Sequence, residues 1–263
     1  MARKKSKKVN IIFIILMIIA LGYLYFKFSP SQTNNQTEKT EQSDDKNFPT
    51  NLKINKKNLN SKPEWYKEIK AEYPEGDVAG VAQTEKFVRD KIDQLWCAND
   101  DEKLTESDVK EKGMLEMYKC SLDIKYSFTH NNKLISHKIS EYGMYGGTHG
   151  IYNAEAFTYD TNGRKLTLSD LFYDSNTYKK VLSDKLKNRF KELQKQNKDY
   201  NFDSILNDIT SEAVIESVPF IIKTNSITFL FSETHGLGYG VGEVEVAIPF
   251  TELKSAIKSE YID

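Results

Sequence analysis

From residue 118 to 129 the chain alternates without a break. Tyr118, Cys120, Leu122, Ile124, Tyr126 and Phe128 are separated by Lys119, Ser121, Asp123, Lys125, Ser127 and Thr129. A period of two puts all the apolar side chains on one face of an extended chain, so the pattern predicts a half-buried strand. His130 to Lys133 supplies a turn, 134–142 reads as the returning strand, and 152–159 as a third, ended by the turn Asp160-Thr161-Asn162-Gly163. Helical spacing occurs on either side of this group. Phe87, Val88, Ile92, Leu95 and Trp96 share one side of a predicted helix over 84–96. Tyr178, Leu182, Leu186, Phe190 and Leu193 do the same over 177–194, after a helix start at Ser169-Asp170, and a shorter helix is expected around 202–209. The charged stretch 99–112 reads as a solvated loop. Strands return at 218–223 and 227–231, flanking Thr224-Asn225-Ser226, and Val244, Val246 and Ile248 form another alternating run. Thr251 is expected to cap a last short helix holding Leu253 and Ile257. Strands grouped around a block of helices predict an α+β fold, antiparallel sheets with a helical insertion.

The amino-terminal end follows a different pattern. Residues 9–26 are apolar or neutral throughout, and Arg3, Lys4, Lys5, Lys7 and Lys8 precede them. The length suffices for a single transmembrane helix, and the basic flank places residues 1–8 in the cytoplasm and the rest outside. A signal peptide cleaved at Ala20-Leu21-Gly22 is the alternative, and it exports the same residues. Segment 29–47 has no aliphatic or aromatic residue, so it is expected to be a disordered tether. The resulting organisation is a cytoplasmic tail over 1–8, a signal anchor over 9–27, a linker over 28–60, and two ectodomain parts, 61–130 and 131–263. Setting aside the five basic tail residues leaves 32 basic against 38 acidic side chains, a net of −6. That balance argues against nucleic acid and leaves room for a basic partner. Cys97 and Cys120 are the only cysteines. In an oxidising compartment an even pair this close predicts a disulfide, with two buried free thiols as the alternative.

Candidate chemistry concentrates in YGMYGGTHGIYN, residues 142–153. A phosphate-binding loop would need a lysine and a following helix, whereas this motif leads into a strand. Thr148-His149-Gly150 is echoed by Thr234-His235-Gly236. Two histidines on glycine loops would suit a metal site with Glu141, Glu155 or Glu233 as a third ligand. Neither loop has a metal-site spacing, so hydrogen-bonded or exposed histidines are expected, with no metal and no cofactor. No GxSxG elbow is present, and no catalytic residue is assigned. Tyrosines beside flexible glycines suit recognition better, since they offer amphipathic area at low entropic cost. The candidate contact residues are Tyr145, Thr148, His149, Tyr152, His235 and Tyr239.

YGGTHGIYNAEAFTYDTNGRKLTLSDLF (145–172), a helical insert and ITFLFSETHGLGYGVGEVEVAIPFTEL (227–253), preceded by EYPEG (72–76), together resemble a known family. The order is similar to the extracellular domain of RsiV-type anti-sigma factors, also found ahead of the catalytic domain in PdaC-type peptidoglycan deacetylases. The resemblance covers about residues 65–260. It implies an α+β ectodomain that binds lysozyme, with a peptidoglycan-binding module as the first alternative and a cell-wall hydrolase or deacetylase as the second; on the residues alone no enzyme is expected. The family's Gly-Gly-x-His-Gly motif is matched by Gly146, Gly147, His149 and Gly150, and its final contact loop by Tyr239 and Gly242. Gly238 stands where the family commonly has proline. Eight residues ahead of the anchor leave no sigma-binding domain, so a binding or sensing ectodomain without its own signalling half is expected.

Overall fold

The alternating segment becomes the middle of a six-stranded sheet. Its strands are β1 (Asn55–Asn60), β2 (Lys67–Glu75), β3 (Cys120–His130), β4 (Leu134–Tyr145), β5 (Ile151–Asp160) and β6 (Lys165–Leu166), hydrogen-bonded in that order. This is a computed structural model, which describes residues 54–262 apart from 61–63, 148, 175–176, 198–199, 210–211, 239 and 254. The expected tail, anchor and tether up to residue 53 lie outside the described residues. Among the described residues no helix is long and apolar enough to cross a membrane.

All strand pairs are antiparallel except β2 and β3, which run parallel with Lys67 opposite Cys120. The expectation of purely antiparallel sheets is corrected here, and the reason is the long crossover that parallel neighbours require. That crossover holds α1 (Val81–Asp93) and three short helices, α2 (Ala98–Glu102), α3 (Glu106–Glu111) and α4 (Leu115–Tyr118). The short helices replace the solvated loop expected over 99–112. Side chains cap them locally: Thr105 and Asp108 exchange hydrogen bonds across the first turn of α3, and Asp100 accepts from the Cys97 backbone N–H. α1 lies on the sheet through Val81, Thr84 and Val88, with Phe87 edge-on to Phe157 at 5.2 Å. It stops at Asp93, so Trp96 is not on its inner side as expected but 54% exposed. Beside it Cys97 and Cys120 form the expected disulfide, both nearly fully buried.

The second sheet has the order β7 (Phe220–Lys223), β8 (Ser226–Phe231), β9 (Val244–Pro249). It is preceded by the helical insertion α5 (Thr177–Gln196), α6 (Asp203–Asp208) and α7 (Glu212–Ser217). Its central strand is buried on both sides from Ile227 to Phe231 because both sides are covered. Ile227, Phe229 and Phe231 meet Leu182, Leu186 and Phe190 of α5 in the main core. Leu230 points the other way, to Ile221 and to Ala154 of the first sheet.

Three expectations change. Residues 55–60, assigned to the linker, form β1, because they complete the edge beside β2 in a register from Asn55–Glu75 to Asn60–Lys70. The boundary at 130/131 falls in the β3–β4 hairpin, whose Asn131 is fully buried and accepts from the Lys133 and Leu134 N–H groups at 2.8 Å. Thr251 caps no helix. It lies inside a 3-10 turn, Phe250–Glu252, whose N-cap is Pro249.

Candidate binding surface

The motif at 142–153 spans the end of β4, a glycine loop and the start of β5. Gly146 and Gly147 take φ of +100° and +111°, a region open to glycine and strained for other residues. Gly150 serves space instead. A Cβ there would run into the Tyr142 ring. The loop is a strand-to-strand connection, anchored by the Gly147 N–H donating to the Met117 carbonyl at 3.0 Å.

The sheet separates two of the expected contact residues. Tyr145 pairs with Cys120, and Tyr142 pairs with Tyr152. Alternation therefore turns Tyr145 to the α1 side and Tyr142 and Tyr152 to the opposite side. Tyr145 donates to Glu141 at 2.5 Å, and the almost buried Glu141 is also paired with Lys91 at 3.3 Å. Burial, with the Glu141 hydrogen bond, pushes the Tyr145 phenol far up. Burial also raises the Glu155 carboxyl, against the pull of Lys91 and with help from Glu141. Tyr145, Glu141 and Lys91 thus form a sheet-face network, with Glu155 beside it.

On the other side the second sheet packs against β5, through Leu230 and Ala154. After β8 the chain makes a 3-10 turn, Glu233–His235, closed by Gly236 at φ +91°. Thr234 Oγ1 donates to Asn153 Oδ1 at 2.7 Å, fixing this turn to the first residues of β5. The buried Ser232 hydroxyl lies 2.9 Å from Thr234 Oγ1 and 2.8 Å from His235 Nδ1. Burial holds the His235 imidazole below its ordinary value. Tyr152 leans on Tyr142 with ring centroids 4.6 Å apart and is 38% exposed. His149 is exposed on the loop. Thr148 and Tyr239 lie outside the described residues.

The surface thus gathers Tyr152, the turn bearing His235, and the linking residues Asn153 and Ser232. Sequence reasoning missed the last two, since nothing in a single chain pairs residue 153 with residue 234. It also missed the exposure of Met117, 47% open beside the glycine loop. No group of three His, Cys, Asp or Glu able to hold a metal ion occurs among the described residues.

The helical insertion and second sheet, which carry the second loop, supply the match to known proteins. Residues 169–251 match the DUF3298 family model. The family is described as a protein of unknown function. The DUF3298 match contains the turn at 233–235 and leaves the glycine loop at 146–150 outside it. A solved DUF3298 protein from Bacteroides fragilis NCTC 9343 is 22% identical, with TM-score 0.50 over 79% of this chain and 94% of that one. Another from Pseudomonas aeruginosa PAO1 is 13% identical, with TM-score 0.49 over 80% of this chain and 97% of that one. The Bacteroides likeness is one of fold. No protein of curated function matches the chain.

Proposed function

We propose that the chain is a membrane-anchored, non-enzymatic binding protein of the bacterial envelope. Its Thr-His-Gly surface faces a protein ligand outside the cell, lysozyme or a similar wall-directed protein. The observation that carries this reading is the Thr234–Asn153 hydrogen bond, which ties the Glu233–His235 turn to β5 next to Tyr152, an exposed tyrosine backed by the Tyr142 ring. Loops held on a rigid sheet are where recognition sites usually sit. The resemblance of 145–172 and 227–253 to RsiV-type ectodomains supports the ligand, and the net of −6 outside residues 1–8 suits a basic one, chiefly through the association rate. Residues 9–27 supply the anchor in this reading. The described chain enters the sheet at Asn55, opposite Glu75, at the far end of β2 from Lys67 and the Cys120 register. The loop end is therefore clear of the entering strand.

The test is surface plasmon resonance of the full chain, held in detergent micelles, against lysozyme. A Kd below ~10 μM is expected, and absence of binding at that concentration defeats the reading. Tyr152→Ala and His149→Ala should each weaken binding by about 10-fold. Unchanged affinity in both would move the contact elsewhere. A second reading, a peptidoglycan-binding module, draws on the exposed Trp96 and Tyr152 rings, which suit stacking on sugars. A pulldown with purified cell wall, with and without lysozyme, separates the two.

A further inference from the structure

Polar atoms shut off from water almost always have a hydrogen-bond partner. Glu233 departs from that rule: its Oε2 is shielded from solvent and has no partner among the described residues. The neighbouring donors are committed elsewhere, Thr234 to Asn153 and the Ser232 hydroxyl to Thr234 and His235. A carboxylate oxygen left like this destabilises the fold, and it persists only where something else selects it. Glu233 as a whole is only half-buried, and the last torsion of a glutamate is soft. A small rotation therefore turns the oxygen toward an approaching group.

The surroundings indicate what that group is. Thr234, next to Glu233, is tied to Asn153, next to Tyr152, so the two side chains flank one hydrogen bond, and after burial and Tyr142 the Glu233 charge adds to the upward push on the Tyr152 phenol. Its ring is exposed on one side and backed by Tyr142 on the other. An unpaired carboxylate next to an open aromatic face suits a flat cation. A guanidinium donates two parallel N–H bonds to a carboxylate and lies over a tyrosine ring. A sugar hydroxyl offers the carboxylate a single donor and no opposite charge to pair with it.

We propose that Glu233 and Tyr152 form a recognition point for an arginine side chain of the protein ligand. This rests on reading the surface as protein-binding and adds the group that the ligand must present. The full chain in detergent micelles is titrated with N-acetyl-argininamide and with its neutral isostere N-acetyl-citrullinamide, followed by two-dimensional NMR. The arginine compound is expected to shift resonances of the 233–236 and 152–153 segments, with the citrulline compound at least ~10-fold weaker. Glu233→Gln should abolish that difference and leave the thermal midpoint equal or higher, because it removes a charge that folding leaves unpaired. Equal binding of the two compounds, or a clearly lowered midpoint in Glu233→Gln, overturns the proposal. Lysozyme affinity unmoved by Glu233→Gln overturns this inference and leaves the lysozyme reading standing. Arginine selectivity in a chain that ignores lysozyme supports it and removes only that ligand.

Discussion

His137 is fully buried in β4 with both ring nitrogens engaged, Nδ1 2.9 Å from the Tyr126 hydroxyl and Nε2 2.7 Å from the Ala79 carbonyl. A carbonyl only accepts, so Nε2 carries the proton and Tyr126 donates to Nδ1. A second ring proton would face the Tyr126 oxygen and break that bond. Burial holds the imidazole below its ordinary 6.5, partly opposed by the Ala79 bond. The unfolded chain therefore takes up the proton first as pH falls. The stability contributed by the neutral ring is complete above about pH 6.5 and is lost as pH drops from there toward the folded value. His235, lowered by burial, adds to the loss in the same window. Urea unfolding at about pH 7.5 and about pH 5.5 should give a lower midpoint at the acidic value. Equal midpoints in the wild type would contradict this account, and His137→Gln should shrink the difference. Nothing in the residue pattern marks this role: His137 reads as one residue of a returning strand, and alternation alone cannot tell a satisfied core histidine from an exposed one. Among the glycines of the loop, Gly146 and Gly147 hold positive φ, whereas Gly150 makes room for Tyr142, a contact set by the fold.

At the scale of elements, the strands with clean alternation and the long amphipathic helix were readable from the pattern. Tyr178, Leu182, Leu186 and Phe190 are fully buried along α5 as their spacing predicts. β2 was missed because its inward positions are Ile69, Ala71 and Tyr73, with Pro74 next to them, a weak apolar signal. No pattern could show how the two sheets join. β7 is an edge strand, and its outward backbone groups meet hydroxyls rather than another strand. The Ile222 N–H donates to Ser136 Oγ at 2.9 Å, and the Ile222 carbonyl accepts from Thr129 Oγ1 at 2.7 Å. Ser136 also touches Thr158 Oγ1 at 2.8 Å, and Thr158 reaches the Phe220 carbonyl at 3.4 Å. In the sequence these polar residues read as the solvent face of a half-buried sheet. They are instead buried partners that close an otherwise open edge. Ser136→Ala leaves a buried N–H without its acceptor and should cost about 1–3 kcal/mol. Denaturant titration checks it, and a loss under about 0.5 kcal/mol would show that the seam does not depend on this bond.

The same seam decides how the folded part behaves as a whole. The expected division of the ectodomain into two parts, 61–130 and 131–263, falls at the turn that follows β3. Turn chemistry is local, however, and it cannot report that the strands on either side pair along eleven positions from Cys120–Tyr145 to His130–Ile135. Other ties cross the expected boundary. Thr129 bonds Ile222, and the Asn131 side-chain amide donates to the Tyr261 carbonyl at 2.9 Å. Lys138, though mostly buried, sits between Glu243 and Glu245 at 2.5 and 2.6 Å. All described residues fall within one compact unit, Asp45–Asp263. The fold shared with the Bacteroides protein covers 79% of the chain, well beyond the 169–251 match. Melting one sheet would therefore strip the hydroxyl partners from β7 and leave Lys138 without its carboxylates, each a buried loss that the other sheet cannot make good. Differential scanning calorimetry should show a single transition of the folded part, with calorimetric and van't Hoff enthalpies equal. Two resolved transitions would mean that the parts on either side of residue 130 hold together separately, and that the inter-sheet bonds join them without coupling them.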